Sequence, residues 1–174
     1  MIVNFWYNEI YGLQANNRSL QMIIDPKNVP GDTKTYYPDP FQYLVAGRIK
    51  QALGKAVGMK TLGVTLITLP SGCCSTLRHW HLQQDEFVYI IEGEVTLIDT
   101  AGEHLLKPGM MAGFPAWHED GHQLINKSNS NAVLLQINHK TPNEEIYYPD
   151  DDIFFKEVSD GWIVTHKDGT LWES

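Results

Sequence analysis

The run Gly72-CCSTLR-His79-Trp80-His81-LQQD-Glu86-FVYIIE-Gly93 decides the fold. In an extended strand, residues two apart project from one face, so His79 and His81 can present both imidazoles to a single point. The loop 82–85 then leads to Glu86 at the mouth of an apolar run, Phe87–Ile91, which places a carboxylate on a neighbouring segment. Strand parity puts Glu86, Val88 and Ile90 on one face. A third imidazole, His122, follows a stretch punctuated by Gly109, Gly113 and Pro115 that brings the chain back across the molecule. Three imidazole nitrogens and one carboxylate suit Mn, Fe, Co, Ni, Cu or Zn better than Ca or Mg, which prefer oxygen shells. The spacing therefore predicts one divalent transition metal held by His79, His81, Glu86 and His122.

Around this run the chain reads as short β-rich segments, Val64–Leu69, Phe87–Ile91, Val95–Ile98 and Val133–Ile137, each bounded by Gly, Pro, Asn or Asp. Strands at such spacing predict an all-β sandwich, jelly roll or barrel. Asp99-Thr100-Ala101-Gly102, Lys107-Pro108-Gly109 and the stretch 126–131 carry turn chemistry. Upstream, Phe41, Leu44, Val45, Ile49, Leu53 and Val57 recur at helical steps, which predicts a short helix over 41–57 with Arg48, Lys50 and Lys55 on a solvated face. The first forty residues read as an irregular arm, with apolar clusters at Ile2–Tyr7 and Leu20–Ile24 that can each form a strand. From Pro142 the tail carries Tyr147, Phe154, Phe155 and Trp162, too many aromatics for a free segment, and is expected to pack on the barrel.

The 174 residues suffice for one domain, divided as arm and helix 1–61, barrel core 62–138 and C-terminal segment 139–174. A hydrophobic fraction of 43% with 20% charged residues excludes a disordered chain. Thirteen Lys and Arg stand against twenty-one Asp and Glu, so nucleic acid is not an expected partner. No apolar run spans a bilayer, the N-terminal residues do not read as a signal, and the two cysteines, Cys73 and Cys74, are adjacent and read as small buried hydrophobes. The expectation is a cytoplasmic protein without a membrane partner.

The run around His79 resembles the first motif of the cupin family: Gly, a short gap, His-x-His, three or four residues, Glu, six residues and Gly. The departure is six residues rather than five between Gly72 and His79. Gly109-MMAGF-Pro115 with His122-QLI-Asn126 resembles the looser second motif, although Trp117 stands where Gly is usual, Met110 where Asp is frequent, and the loop before His122 is longer. His118 competes as the fourth ligand, but His122 keeps the spacing to Asn126. Leu77–His81, Asp85–Tyr89, Gly113–Pro115 and Gly121-His122, with Ala46–Arg48 and His166–Gly169, look like a bacterial group of single-domain cupins.

The resemblance covers about residues 62–138 and implies a double-stranded β-helix barrel around the same four ligands. It also implies a homodimer, since such barrels often exchange N-terminal strands. The function that follows is a small-molecule metalloenzyme acting on a chelating oxygenated substrate, of isomerase or epimerase, lyase or dioxygenase type, with Glu86 both ligand and proton carrier. The alternative is a non-catalytic ligand-binding or sensor module. A sugar-processing barrel is a further possibility, but no Arg or Lys cluster stands near the His segments to grip a phosphate. Arg78, Trp80 and Tyr89 have the opposite parity and are expected to face outward, with Asp85 a loop acid and His104, His139 and His166 on the surface.

Overall fold

A computed structural model describes residues 22–172. Alternation of inward apolar and outward residues builds its main sheet. In β2 (Leu62–Leu69), Ile67 and Leu69 are buried while Leu66 and Thr68 turn to the other face. β2 pairs antiparallel with β9 (Ala132–His139), setting Ile67 opposite Leu134 and Leu69 opposite Ala132. β9 in turn pairs with β4 (Glu86–Glu92), setting Leu134 opposite Ile90 and Asn138 opposite Glu86. With β1 (Ile49–Gln51) on one edge and β7 (Met111–Phe114) on the other, the order is β1-β2-β9-β4-β7.

The second sheet runs β6-β5-β8, from β6 (Gly102–Leu106), β5 (Val95–Asp99) and β8 (Gln123–Ile125). Its inner residues Val95, Leu97, Leu106 and Leu124 meet Ile67, Leu69, Val88, Ile90 and Leu134 in one core. Each such side chain, taken wholly out of water, contributes about 1.5–3 kcal/mol. The molecule is an all-β jelly roll of facing antiparallel sheets, as the strand pattern predicts.

The turns form where the sequence places them. Asp99 Oδ1 accepts from the Ala101 and Gly102 amides at 2.8 and 3.0 Å, closing the β5–β6 hairpin. Met110 N donates to Lys107 O at 2.9 Å across Pro108-Gly109. Asn126 is fully buried, and its Nδ2 donates to Leu69 O and Ser130 O, both at 2.7 Å, so it fastens the 126–131 loop to β2.

A third sheet, β12-β11-β10-β3, is built almost entirely from the tail: β10 (Glu145–Tyr147), β11 (Phe154–Val158) and β12 (Gly161–Thr165). Its innermost member is the two-residue strand β3 (Trp80–His81), paired with β10 so that His81 faces Ile146 and Trp80 faces Tyr147. Tyr148, Ile153 and Phe155 form a second apolar cluster with Tyr37, Val45 and Leu77.

The predicted helix over 41–57 is not formed. Its residues divide into a 3-10 turn, Gln42–Val45, strand β1 and a single helical turn, Leu53–Ala56. Gly47, at φ +87°, takes a left-handed conformation that breaks the helix, and the freed segment gains a ladder against the edge of β2 instead. The solvated basic face fails with it for Arg48 and Lys50, while Lys55 is exposed as expected. Lys50 lies opposite inward-facing Ile67, and Arg48, two residues earlier, is 4% exposed. Of the N-terminal clusters, Ile2–Tyr7 lies outside the described residues, as does the start of Leu20–Ile24; Met22–Ile24 is not in a strand.

Gly93, which closes the decisive run, has φ +72°, and a Cβ there would sit 2.6 Å from Asn131 O. Gly93→Ala should therefore lower stability by about 1–3 kcal/mol through backbone strain and overlap. Urea unfolding measures this, and an unchanged midpoint would refute the tight approach of β4 to the 131–132 backbone.

Candidate metal centre

His79 and His122 are joined by the backbone before their side chains meet. His79 N donates to His122 O at 3.0 Å and His122 N to His79 O at 2.8 Å, a two-residue antiparallel bridge between distant segments. Both are 3% exposed. His81 arrives from β3 and Glu86 from the first position of β4. His81 Nε2 lies 3.2 Å from His79 Nε2 and 3.4 Å from Glu86 Oε2, while His79 Nε2 is 4.0 Å from that oxygen. One ligand atom from each of His79, His81 and Glu86 falls within 4.8 Å of the others, so these three could hold a metal ion. His122 Nε2 stands 3.6 Å from Glu86 Oε1, its ring stacked on Phe114 with centroids 3.5 Å apart.

The outer contacts orient the rings. His79 Nδ1 donates to Leu77 O at 2.9 Å, leaving its Nε2 as a lone pair. His81 Nδ1 turns to Glu144 Oε1 at 3.5 Å, and Glu144 is wholly buried. The two Nε2 atoms stand at hydrogen-bond distance, with His81 the donor when protonated, and His81 Nδ1 and both ring nitrogens of His122 are buried without a hydrogen-bond partner. Such a set is stabilised by positive charge among its nitrogens, which in the metal-free fold the proton on His81 provides in part. A divalent cation supplies it, and the donors fit a transition metal by type.

The electrostatics agree. Burial, then the neighbouring His122 and His81 rings, hold His79 well below its ordinary value and so neutral. Burial alone would raise Glu86, but contacts with His122 and His81 outweigh it and keep the carboxyl well below its usual range. Burial pulls His81 down, yet Glu144 and Glu86 together lift it to about 9.

Above these groups lies a cleft of about 360 Å³, lined by Trp80, His81, Leu97, Phe114 and His122, with Asp99, His118 and Asp120 also on its wall. His118, the competing fourth ligand, is exposed.

The cupin domain model matches residues 65–138. A sugar phosphate isomerase of the cupin superfamily from Silicibacter pomeroyi is 37% identical over 87% of this chain and 97% of its own, with a TM-score of 0.84. The chain belongs to the cupin superfamily. A proposed sugar phosphate isomerase from Acidithiobacillus ferrooxidans is 27% identical over 73% of this chain and 81% of its own, with a TM-score of 0.66. The polyketide cyclase RemF from Streptomyces resistomycificus, 14% identical over 67% of this chain and 78% of its own at a TM-score of 0.56, shares the fold alone. No functionally curated protein matches the sequence.

In this cupin, Trp117 sits where the motif has Gly, and it takes the left-handed φ of +64° that the Gly would. Its N–H donates to His81 O at 3.2 Å, so the remodelled loop is tied to the strand that carries a site histidine. Arg78 spans Asp120 and Asp150 at 3.4 and 3.1 Å, whereas Trp80, expected to face outward, stacks on Tyr147 at 4.3 Å and also lines the cleft. Tyr89 is exposed, and Asp85 accepts from Ala116 N at 2.8 Å. His104 and His166 pair with Asp99 and Asp152, and His139 accepts from Asp85 N. Cys73 and Cys74 are buried, and burial raises both thiols, Cys74 to about 11, which leaves them inert.

Glu144 is the residue that sequence reasoning missed. It accepts from Gln83 N at 3.1–3.2 Å and from Thr141 Oγ1 at 3.3 Å as it faces His81. Its neighbour Glu145 instead pairs with Lys156 near the surface. Parity along 144–145 signals that one acid faces inward, but not which one.

A metal needs the neutral His81 ring, so binding must displace the proton that Glu144 and Glu86 hold there. Affinity should fall about tenfold per pH unit below about 9, with about one proton released per ion near pH 7.5. In the metal-free fold the sign reverses: the stabilisation is full below about 6.5 and lost as pH rises through about 9. Calorimetry in buffers of different ionisation enthalpy counts the proton, and a count of zero would mean that His81 is neutral beforehand.

Proposed function

We propose that this cupin is a metal-dependent isomerase acting on a small hydroxy-carbonyl substrate of the sugar or sugar-phosphate class. The observation that carries the reading is the convergence of His79, His81, Glu86 and His122 at the foot of an open cleft, with two ring nitrogens 3.2 Å apart and those of His122 buried without a partner. In this reading the four side chains are the ligands of one divalent ion, Mn, Fe, Co, Ni, Cu or Zn. The similarity to a sugar phosphate isomerase at 37% identity favours isomerisation over the lyase and dioxygenase chemistries that the same ligands permit.

When bound, the ion supplies a Lewis acid that polarises the substrate carbonyl. The chain's own part is to orient and to move a proton. Leu77 O fixes the tautomer of His79, the Glu144 carboxylate 3.5 Å away favours a proton on His81 Nδ1, and Phe114 fixes the plane of His122. Glu86, held as a carboxylate, acts as ligand and as acceptor of the proton that passes between adjacent carbons. Phe114 and Trp80 give the cleft apolar walls that exclude water from the exchange.

Aldose and ketose phosphates incubated with metal-loaded protein in D₂O should interconvert and take up deuterium at the carbon beside the carbonyl, as read by proton NMR. H79A/H81A should lose its metal and at least roughly a hundredfold in rate while keeping its fold. Oxygen consumption without deuterium uptake would replace this reading with an oxygenase.

The reading includes a homodimer. The outer face of the five-stranded sheet exposes Leu62, Tyr89, Ile91 and Met111, and a second copy covering it would remove that apolar surface from water. Light scattering should return twice the chain mass; a monomer at micromolar concentration would overturn this part.

No helix among the described residues is long and apolar enough to cross a membrane.

A further inference from the structure

Two cations lie on the inner side of the main sheet. Lys50 pairs across with Ile67, whose row continues through Leu134 to Ile90, all of them core residues. Arg48 shares its face, two residues earlier, and is 4% exposed. Among the described residues, Arg78, Lys107, Lys127 and Lys156 have carboxylate partners, whereas neither Arg48 nor Lys50 has one within ion-pair distance. Arg48 donates from one guanidinium nitrogen to Ser75 O, but its Nε is buried with no partner at all.

Packing considerations do not explain this pair. Two like charges side by side against an apolar row cost desolvation and repulsion, and a sheet edge has no structural need for either. The strain registers on Lys50, which burial first and the Arg48 charge second lower to about 7. Glu86 of the candidate metal centre and, after it, Asp32 act on Lys50 in the opposite sense, neither of them within ion-pair distance. Between Lys50 and that centre the inner face is polar: Thr65 lies opposite Gln136, and Asn138 lies opposite Glu86 and donates to Gln84 at 2.8 Å. The cleft wall on the other side bears Asp99 and Asp120, a poor seat for an anion.

We propose that Arg48 and Lys50 form an anion subsite on the inner wall of the barrel, which receives the phosphate group of a substrate whose other end reaches the metal centre. The assignment rests on the isomerase reading for the second half of that statement only. The subsite itself needs no metal. A phosphate monoester supplies the missing counter-charge, with oxygens for the Arg48 Nε and the Lys50 ammonium. The selectivity that follows is for phosphorylated over free sugars.

The test uses inorganic phosphate as probe and the full chain. Calorimetric titration should detect phosphate binding to the wild-type protein and to H79A/H81A alike, and at least a tenfold weakening in Lys50→Gln with metal content unchanged. Lys50→Arg, which keeps the charge, should retain binding. On the wild-type chain alone, phosphate should slow acetylation of Lys50 by acetic anhydride relative to Lys107 and Lys127, as read by peptide mass spectrometry; this arm holds even if a variant fails to fold. Absence of phosphate binding, equal binding by Lys50→Gln, or unprotected Lys50 would each overturn the subsite. Loss of binding in a folded H79A/H81A would place the phosphate on the metal instead, overturning the subsite while sparing the isomerase reading. Phosphate binding with Lys50 protection but no isomerisation of any sugar phosphate would uphold the subsite and remove that reading.

Discussion

Buried nitrogen lone pairs cannot face one another without positive charge between them, and the centre of this protein is organised around that constraint. His79 and His81 point Nε2 at Nε2 across 3.2 Å, with Glu86 alongside and His122 closing the ring. A proton on His81, which Glu144 and Glu86 stabilise by raising that histidine to about 9, meets the requirement in part. It does nothing for His122, whose ring nitrogens stay unpartnered. The barrel core and the tail hold this arrangement together against its own repulsion.

The tail's role is larger than packing. β3 is only two residues long and belongs to no sheet of the barrel proper; it is held by β10 on one side and by the Trp117 amide at its end. The same segment brings Glu144 behind His81 and stacks Tyr147 on Trp80. The orientation of one site histidine therefore depends on residues more than sixty positions away in sequence. The Trp117 backbone, in a left-handed conformation that suits glycine better, is the strained part of that same tie.

Charge on the interior is asymmetric. Carboxylates and imidazoles gather where β3, β4 and the His122 segment meet, and the cations Arg48 and Lys50 stand on the edge strand β1. Between them, Thr65, Gln136 and Asn138 interrupt the apolar face. Lys50, lowered to about 7, is sensitive to any charge introduced between these walls.

Local pattern determined most of the barrel. The short β-rich runs 64–69, 87–91, 95–98 and 133–137, with turns at Asp99–Gly102 and Lys107–Gly109, were legible because β-branched and aromatic residues bounded by Gly, Pro, Asn or Asp favour strands and each turn carries its own backbone chemistry. The His-x-His pair and Glu86 were legible because parity is a local property. The 41–57 segment misled because its apolar spacing fits a helix until Gly47 breaks the chain and the edge of β2 offers a ladder. That choice reversed Arg48 and Lys50 from surface to interior. Only tertiary structure decided which of Glu144 and Glu145 faces His81, how His122 bridges to His79, and where the inward cations sit. Those outcomes depend on pairings between distant segments, whose register is set by the whole core and not by any one stretch of sequence.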